Sequence, residues 1–133
     1  MNKFLRVFRG SIPIENIVYI KHSFSDGGYY EVCLGDADDN LVYQQDKQEY
    51  SYKDVHKFFR KHKRFTWLDF FTARKFVYFG DYMINSKKIL RIENDYDSGE
   101  FDIHLDTLDR FYFTVYKGQM AYDDVSRYYW GTR

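Results

Sequence analysis

The chain has a single proline, a single cysteine and no surplus of either charge, and each scarcity removes a class of protein. Cys33 alone cannot build an intrachain disulfide framework and suits a reducing compartment. Twenty basic residues cancel twenty acidic ones, so no overall field draws the protein to nucleic acid or membrane. An electrostatic partner must therefore be met by a local patch. Met1 is followed by mixed charged and apolar residues, with no apolar run long enough for a signal peptide or a membrane span. A cytoplasmic protein is expected. G-x-S-x-G, H-E-x-x-H and a phosphate-cradling glycine-rich loop are absent, so neither enzymatic activity nor a cofactor is expected.

What the chain has in quantity is aromatic side chains, 14 Tyr and 13 Phe, which favour β structure and large apolar contacts. At 133 residues it fits one folding unit, because half of it would bury a poor core. Strands are expected at 4–8, 12–21, 29–34 and 41–45, with a turn at Ser25-Asp26-Gly27-Gly28 and Pro13 near the start of the second strand. Alternation puts Tyr30, Val32 and Leu34 on one face and Glu31 and Cys33 on the other. Ser51-Tyr52-Lys53-Asp54 reads as a capping box opening a helix whose apolar stripe is Val55, Phe58 and Phe59.

The pattern then recurs. Phe4/Phe76, Ile12/Ile84, Ile17/Ile89, Val18/Leu90 and Ile20/Ile92 are separated by 72 positions. Tyr30/Phe101, Val32/Ile103 and Leu34/Leu105 are separated by 71, and Tyr52/Tyr122, Asp54/Asp124, Val55/Val125, Phe58/Tyr128 and Phe59/Tyr129 by 70. Each change of offset falls in a turn, where length changes are tolerated. The expected fold is α+β, a tandem duplication of a ββββα module with antiparallel sheets: copy one at 4–63, a short helical linker at 64–75 containing Trp67, Phe70 and Phe71, and copy two at 76–132. One four-stranded sheet with one helix leaves a face and two edges open, so the copies should join edge to edge or face to face in a single pseudo-symmetric domain, 1–133.

Two surfaces stand out. Lys57, Arg60, Lys61, Lys63 and Arg64, with His56 and His62 among them, form a basic cluster able to bind phosphates, or else a solvated outer helix face. Tyr112, Tyr116, Tyr122, Tyr128, Tyr129 and Trp130 crowd the C-terminal third, where Tyr and Trp favour contact with a protein partner. Asp102, His104 and Asp106 alternate on one strand without a closed metal motif, and Asp36, Asp38, Asp39 and Asn40 lack the acid that a calcium loop needs at the place of Lys47. No metal is expected.

Ile12-Pro13-Ile14-Glu15-Asn16-Ile17-Val18-Tyr19-Ile20, and later Tyr82-Met83-Ile84-Asn85 with Ile89 and Ile92, resemble the opening strand and the later tyrosine, valine-asparagine and isoleucine pattern of LytTR-type DNA-binding domains. That resemblance implies a fold shared with a double-stranded DNA-binding transcriptional regulator. The chain departs from the family at Phe79-Gly80-Asp81, where the family carries histidine-arginine-serine, and at Tyr116-Lys117, in place of its late serine-arginine pair. The strand-turn-strand-helix pattern is also similar to small modules of phage and mobile-element proteins. From these features the first expectation is a non-enzymatic binding protein making stoichiometric contact with a macromolecule, as inhibitors, immunity proteins and phage anti-defence proteins do. Its contact surface would be Tyr112, Tyr116, Tyr128, Tyr129 and Trp130. The alternative is a LytTR-like DNA binder using Lys57, Arg60, Lys61, Lys63 and Arg64.

Overall fold

A computed structural model of the chain describes residues 4–7, 10–24, 28–45, 50–63 and 76–131. Its first half runs β1 (Phe4–Val7), β2 (Gly10–Pro13), a 3-10 turn (Ile14–Asn16), β3 (Tyr19–Ser23), β4 (Tyr29–Cys33), β5 (Leu41–Gln44) and α1 (Tyr50–Lys63). The second half repeats that order: β6 (Phe76–Phe79), β7 (Tyr82–Asn85), a second 3-10 turn (Ser86–Lys88), β8 (Ile89–Asn94), β9 (Phe101–Leu105), β10 (Tyr112–Val115) and α2 (Ala121–Gly131). The fold is α+β, and every strand pairing is antiparallel. What recurs among the described residues is the order of elements, with five strands to each helix rather than the expected four. The linker 64–75 lies outside the described residues.

The fifth strand comes from breaking the long expected strand 12–21, and its counterpart in the second half, at a 3-10 turn. In the first, Pro13 has no amide to offer a ladder, and its φ of −57° leads directly into the turn. In the second, the Asn85 side chain accepts from the Lys87 amide at 3.1 Å and closes the turn locally. Asn85 also ties the two turns together. Its backbone amide donates to the Val18 carbonyl at 2.9 Å and its carboxamide to the Ile17 carbonyl at 3.1 Å, so this buried polar residue is satisfied by the other half of the chain.

Three sheets result: β1-β2, β10-β9-β8, and a central five-stranded sheet ordered β5-β4-β3-β7-β6. The halves therefore meet edge to edge where β3 pairs with β7, Tyr19 opposite Ile84 and Ile20 opposite Met83. Both faces of the central sheet are buried. Ile20, Tyr30, Val32, Phe76 and Met83 pack on one face with Val55, Phe58 and Phe59 of α1, whereas Tyr19, Cys33, Phe79 and Ile84 pack on the other with Phe101, Ile103, Leu105, Val115 and Val125. Cys33 lies on the face opposite Tyr30 and Val32, as expected, and is fully buried because that face is covered as well. Leu34, expected inside, lies past the end of β4 and is exposed. Val18 and Leu90 diverge similarly, 1% against 58% exposed: Val18 lies beside the central strands, and Leu90 is on β8 at the rim of a sheet.

Candidate nucleic-acid interface

The outward face of α1 carries the largest group of exposed cations that the sequence foresaw. Lys53, Lys57, Arg60 and Lys61 follow a spacing of i, i+4, i+7 and i+8, which puts them on one side of a helix whose other side is Val55, Phe58 and Phe59. All four are exposed. Eight residues at 1.5 Å each make the stripe about 12 Å long. The helix starts at Tyr50, so Ser51 sits buried in the first turn instead of capping it. Arg64 and the side chains of His62 and Lys63 lie outside the described residues.

Two tyrosine hydroxyls fix this helix on the sheet. Tyr30 on β4 is 2.6 Å from Nδ1 of His56, and Tyr78 on β6 donates to the Phe59 carbonyl at 2.5 Å. Burial pushes the Tyr30 phenol well above its usual range, so it remains protonated and donates, which leaves the imidazole proton of His56 on Nε2. Burial first, and the Arg60 guanidinium second, push His56 below its ordinary value of 6.5. His56 is therefore a neutral donor set among cations. The surrounding rings are ordered: His22 stacks on Tyr30 at 4.4 Å and 12°, and Tyr52 lies parallel to His56 at 5.8 Å and 11°. His22 escaped the sequence reading; in the β3–β4 register it stands opposite Tyr30.

The aromatic surface expected near the C-terminus divides. Tyr128 and Tyr129 turn inward, their rings 5.5 Å from Phe79 and 5.4 Å from Phe101, and burial raises the Tyr128 phenol. Tyr112, Tyr116 and Trp130 are exposed, with Tyr112 stacked on His104 at 5.1 Å. Tyr122 is half-buried and donates to the Gly99 carbonyl.

The acidic strand positions are engaged with their neighbours: Asp102 accepts from Thr114 at 2.6 Å, His104 lies 2.6 Å from Glu93, and Asp106 follows the end of β9 in solvent. A different grouping appears instead. Carboxylate oxygens of Asp36, Asp38 and Asp109 lie within 4.8 Å of one another. Nothing local in the sequence points to Asp109, which is far along the chain. Thr107 and the Ala37 amide hold its carboxyl below the usual range, and Asp36 accepts from the Asp38 amide.

The β6–β7 turn, where the LytTR resemblance departs, is closed against α2. Phe79 is buried, the Gly80 amide donates to Asp124 at 3.2 Å, and Gly80 has a φ of +63°. A Cβ added at Gly80 would come within 2.9 Å of the Ala121 Cβ. By contrast, the two blocks that carry the resemblance form β2 to β3 and β7 to β8, the segments that join the halves.

No family model and no curated protein matches the chain. Among solved structures, one described as the LytTR DNA-binding domain of a methyl-accepting/DNA response regulator from Bacillus cereus superposes over 96% of this chain and 94% of that one, with a TM-score of 0.53 and 15% identity. Identity that low speaks to backbone arrangement alone. The fold of this chain is thus similar, end to end, to that of a LytTR domain.

Proposed function

We propose that this protein is a double-stranded DNA-binding domain of a cytosolic regulator and that the outer face of α1 lies along the phosphate backbone. The observation that carries the reading is a basic stripe, Lys53, Lys57, Arg60 and Lys61, on a chain of zero net charge whose fold is similar to that of a solved DNA-binding domain. Cations on one helix face replace condensed counterions, and that release supplies sequence-independent affinity. Lys63 and Arg64 continue the run in sequence and belong to the same proposal. The inhibitor or immunity-protein reading has no comparable support: two of its five aromatics are packed inward. The β6–β7 turn is left out of the proposed surface because Asp81 is exposed there and Asp124 accepts from the Gly80 amide.

The test is binding of a fluorescent duplex across a salt series. Affinity that falls steeply with salt, and less steeply once stripe cations are neutralised, supports the proposal. Affinity indifferent to salt, or no binding at 50 mM salt, refutes it.

A further inference from the structure

Beside the basic stripe, between the first turns of α1 and the end of β3, lies an open cleft of about 630 Å³ lined by His22, Phe24, Gly28, Gln45, Tyr52, Lys53, His56 and Lys57. That volume suits a small organic ligand. Its walls are rings: Phe24, 74% exposed, stands 4.3 Å from His22, and Tyr52 lies parallel to His56. Lys53 and Lys57 of the basic stripe also line it. Such a combination of exposed ring faces and adjacent cations matches a group that is flat and aromatic at one end and anionic at the other.

We propose that this cleft binds a nucleotide unit, with the base against Phe24, Tyr52 and His56 and the phosphate on Lys53 and Lys57. The hydrogen-bonding groups fit a base edge. His56 presents an Nε2 proton because Nδ1 is taken by Tyr30, and the exposed Gln45 carboxamide offers both a donor and an acceptor. Gly28 shapes the bend beside Gln45 and Tyr52 through its backbone. At φ +93° it occupies a conformation other residues rarely adopt, and a Cβ there would sit 3.6 Å from both the Tyr52 hydroxyl and the Gln45 side chain. A free nucleotide and a nucleotide of an unpaired strand share this chemistry; the cleft shares Lys53 and Lys57 with the stripe proposed for duplex binding, and its rings tell the two readings apart.

The experiment follows the His22 and His56 ring resonances of the full chain by NMR during titration with AMP, adenosine, inorganic phosphate and a deoxyadenosine tetranucleotide. The expected result is saturable shifts of both rings with AMP, weaker binding of adenosine, and none of these shifts with inorganic phosphate. Phe24→Ala, which removes an exposed ring, should weaken the nucleotide about tenfold, in line with the worth of one base–aromatic stack. Lys53→Gln with Lys57→Gln should abolish the advantage of AMP over adenosine. Saturation by AMP identifies a free nucleotide as a sufficient ligand, whereas saturation by the tetranucleotide alone identifies a strand as the source. Absence of saturable shifts with both, or an affinity unchanged by Phe24→Ala, overturns the proposal. The duplex reading fails separately: Phe24→Ala should leave the salt slope of duplex binding unchanged, and a protein that binds AMP but no duplex retains the cleft and loses the stripe.

Discussion

Neutralising two of the four described cations of the α1 stripe should halve the salt dependence that those four supply to duplex binding. If the four exposed cations Lys53, Lys57, Arg60 and Lys61 each meet one phosphate, log affinity should fall against log salt with a slope of about −3.6. From 50 to 200 mM salt that slope is a loss of about 150-fold. Lys57→Gln with Lys61→Gln leaves two contacts, a slope of about −1.8 and a loss of about twelvefold over the same range. Glutamine keeps a long stem on the helix surface and is a good helix former, so the change removes charge with little effect on packing. Fluorescence anisotropy of a labelled duplex at 50, 100 and 200 mM salt measures both slopes. Equal slopes for the two proteins would show that the stripe faces water in the complex, and the reasoning from helix face to phosphate would be wrong.

Three further outcomes follow from the geometry. Gly80→Ala should lower stability by about 1–2 kcal/mol for the left-handed backbone alone, and by more because the new methyl meets Ala121, while Gly10→Ala, where nothing lies within 4 Å, should be tolerated; urea unfolding of both variants measures the contrast. Asn85→Ala frees the buried Ile17 carbonyl from its partner and should cost about 1–3 kcal/mol in the same assay. His56, held below 6.5 when folded, lets the unfolded chain bind a proton that the folded chain does not, so its contribution to stability falls as pH drops below 6.5 and is unchanged above it. Urea midpoints at pH 7.5 and 5.5 should therefore move less in His56→Gln than in the parent, and an equal movement would contradict the neutral, Tyr30-bonded imidazole.

Local chemistry was legible in the sequence where one residue decided it. Val55, Phe58 and Phe59 marked the buried side of α1, and the cations between them marked the exposed side. Pro13 was seen at the start of a strand, but its role in ending that strand depended on the 3-10 turn that follows. Alternation set Cys33 on the face opposite Tyr30 and Val32, as found, but a sheet buried on both faces gives no polar side to read, and the pattern broke at Leu34, past the end of β4. The inward turn of Tyr128 and Tyr129 needed the location of Phe79 and Phe101, elements from distant parts of the chain. Register was only partly legible even between strands adjacent in sequence: a turn centred on the expected 25–28 would set His22 opposite Glu31, the pairing found is with Tyr30, and nothing local brings His56 to the Tyr30 hydroxyl.

The pairing of β3 with β7 has a consequence for how the chain is made. Tyr19 and Ile84 are 65 positions apart, and bringing such distant residues together costs about 3.7 kcal/mol of loop-closure entropy before any contact forms. During synthesis β3 would leave the ribosome with one edge already matched by β4 and the other bare until the second half arrives. A nascent chain arrested after Lys63 thus carries an open strand flanked by Ile17 and Ile20, a template for the β3 of another such chain. Synthesis of β7, more than any local propensity, is what covers that edge, and products truncated before it should be the ones that aggregate.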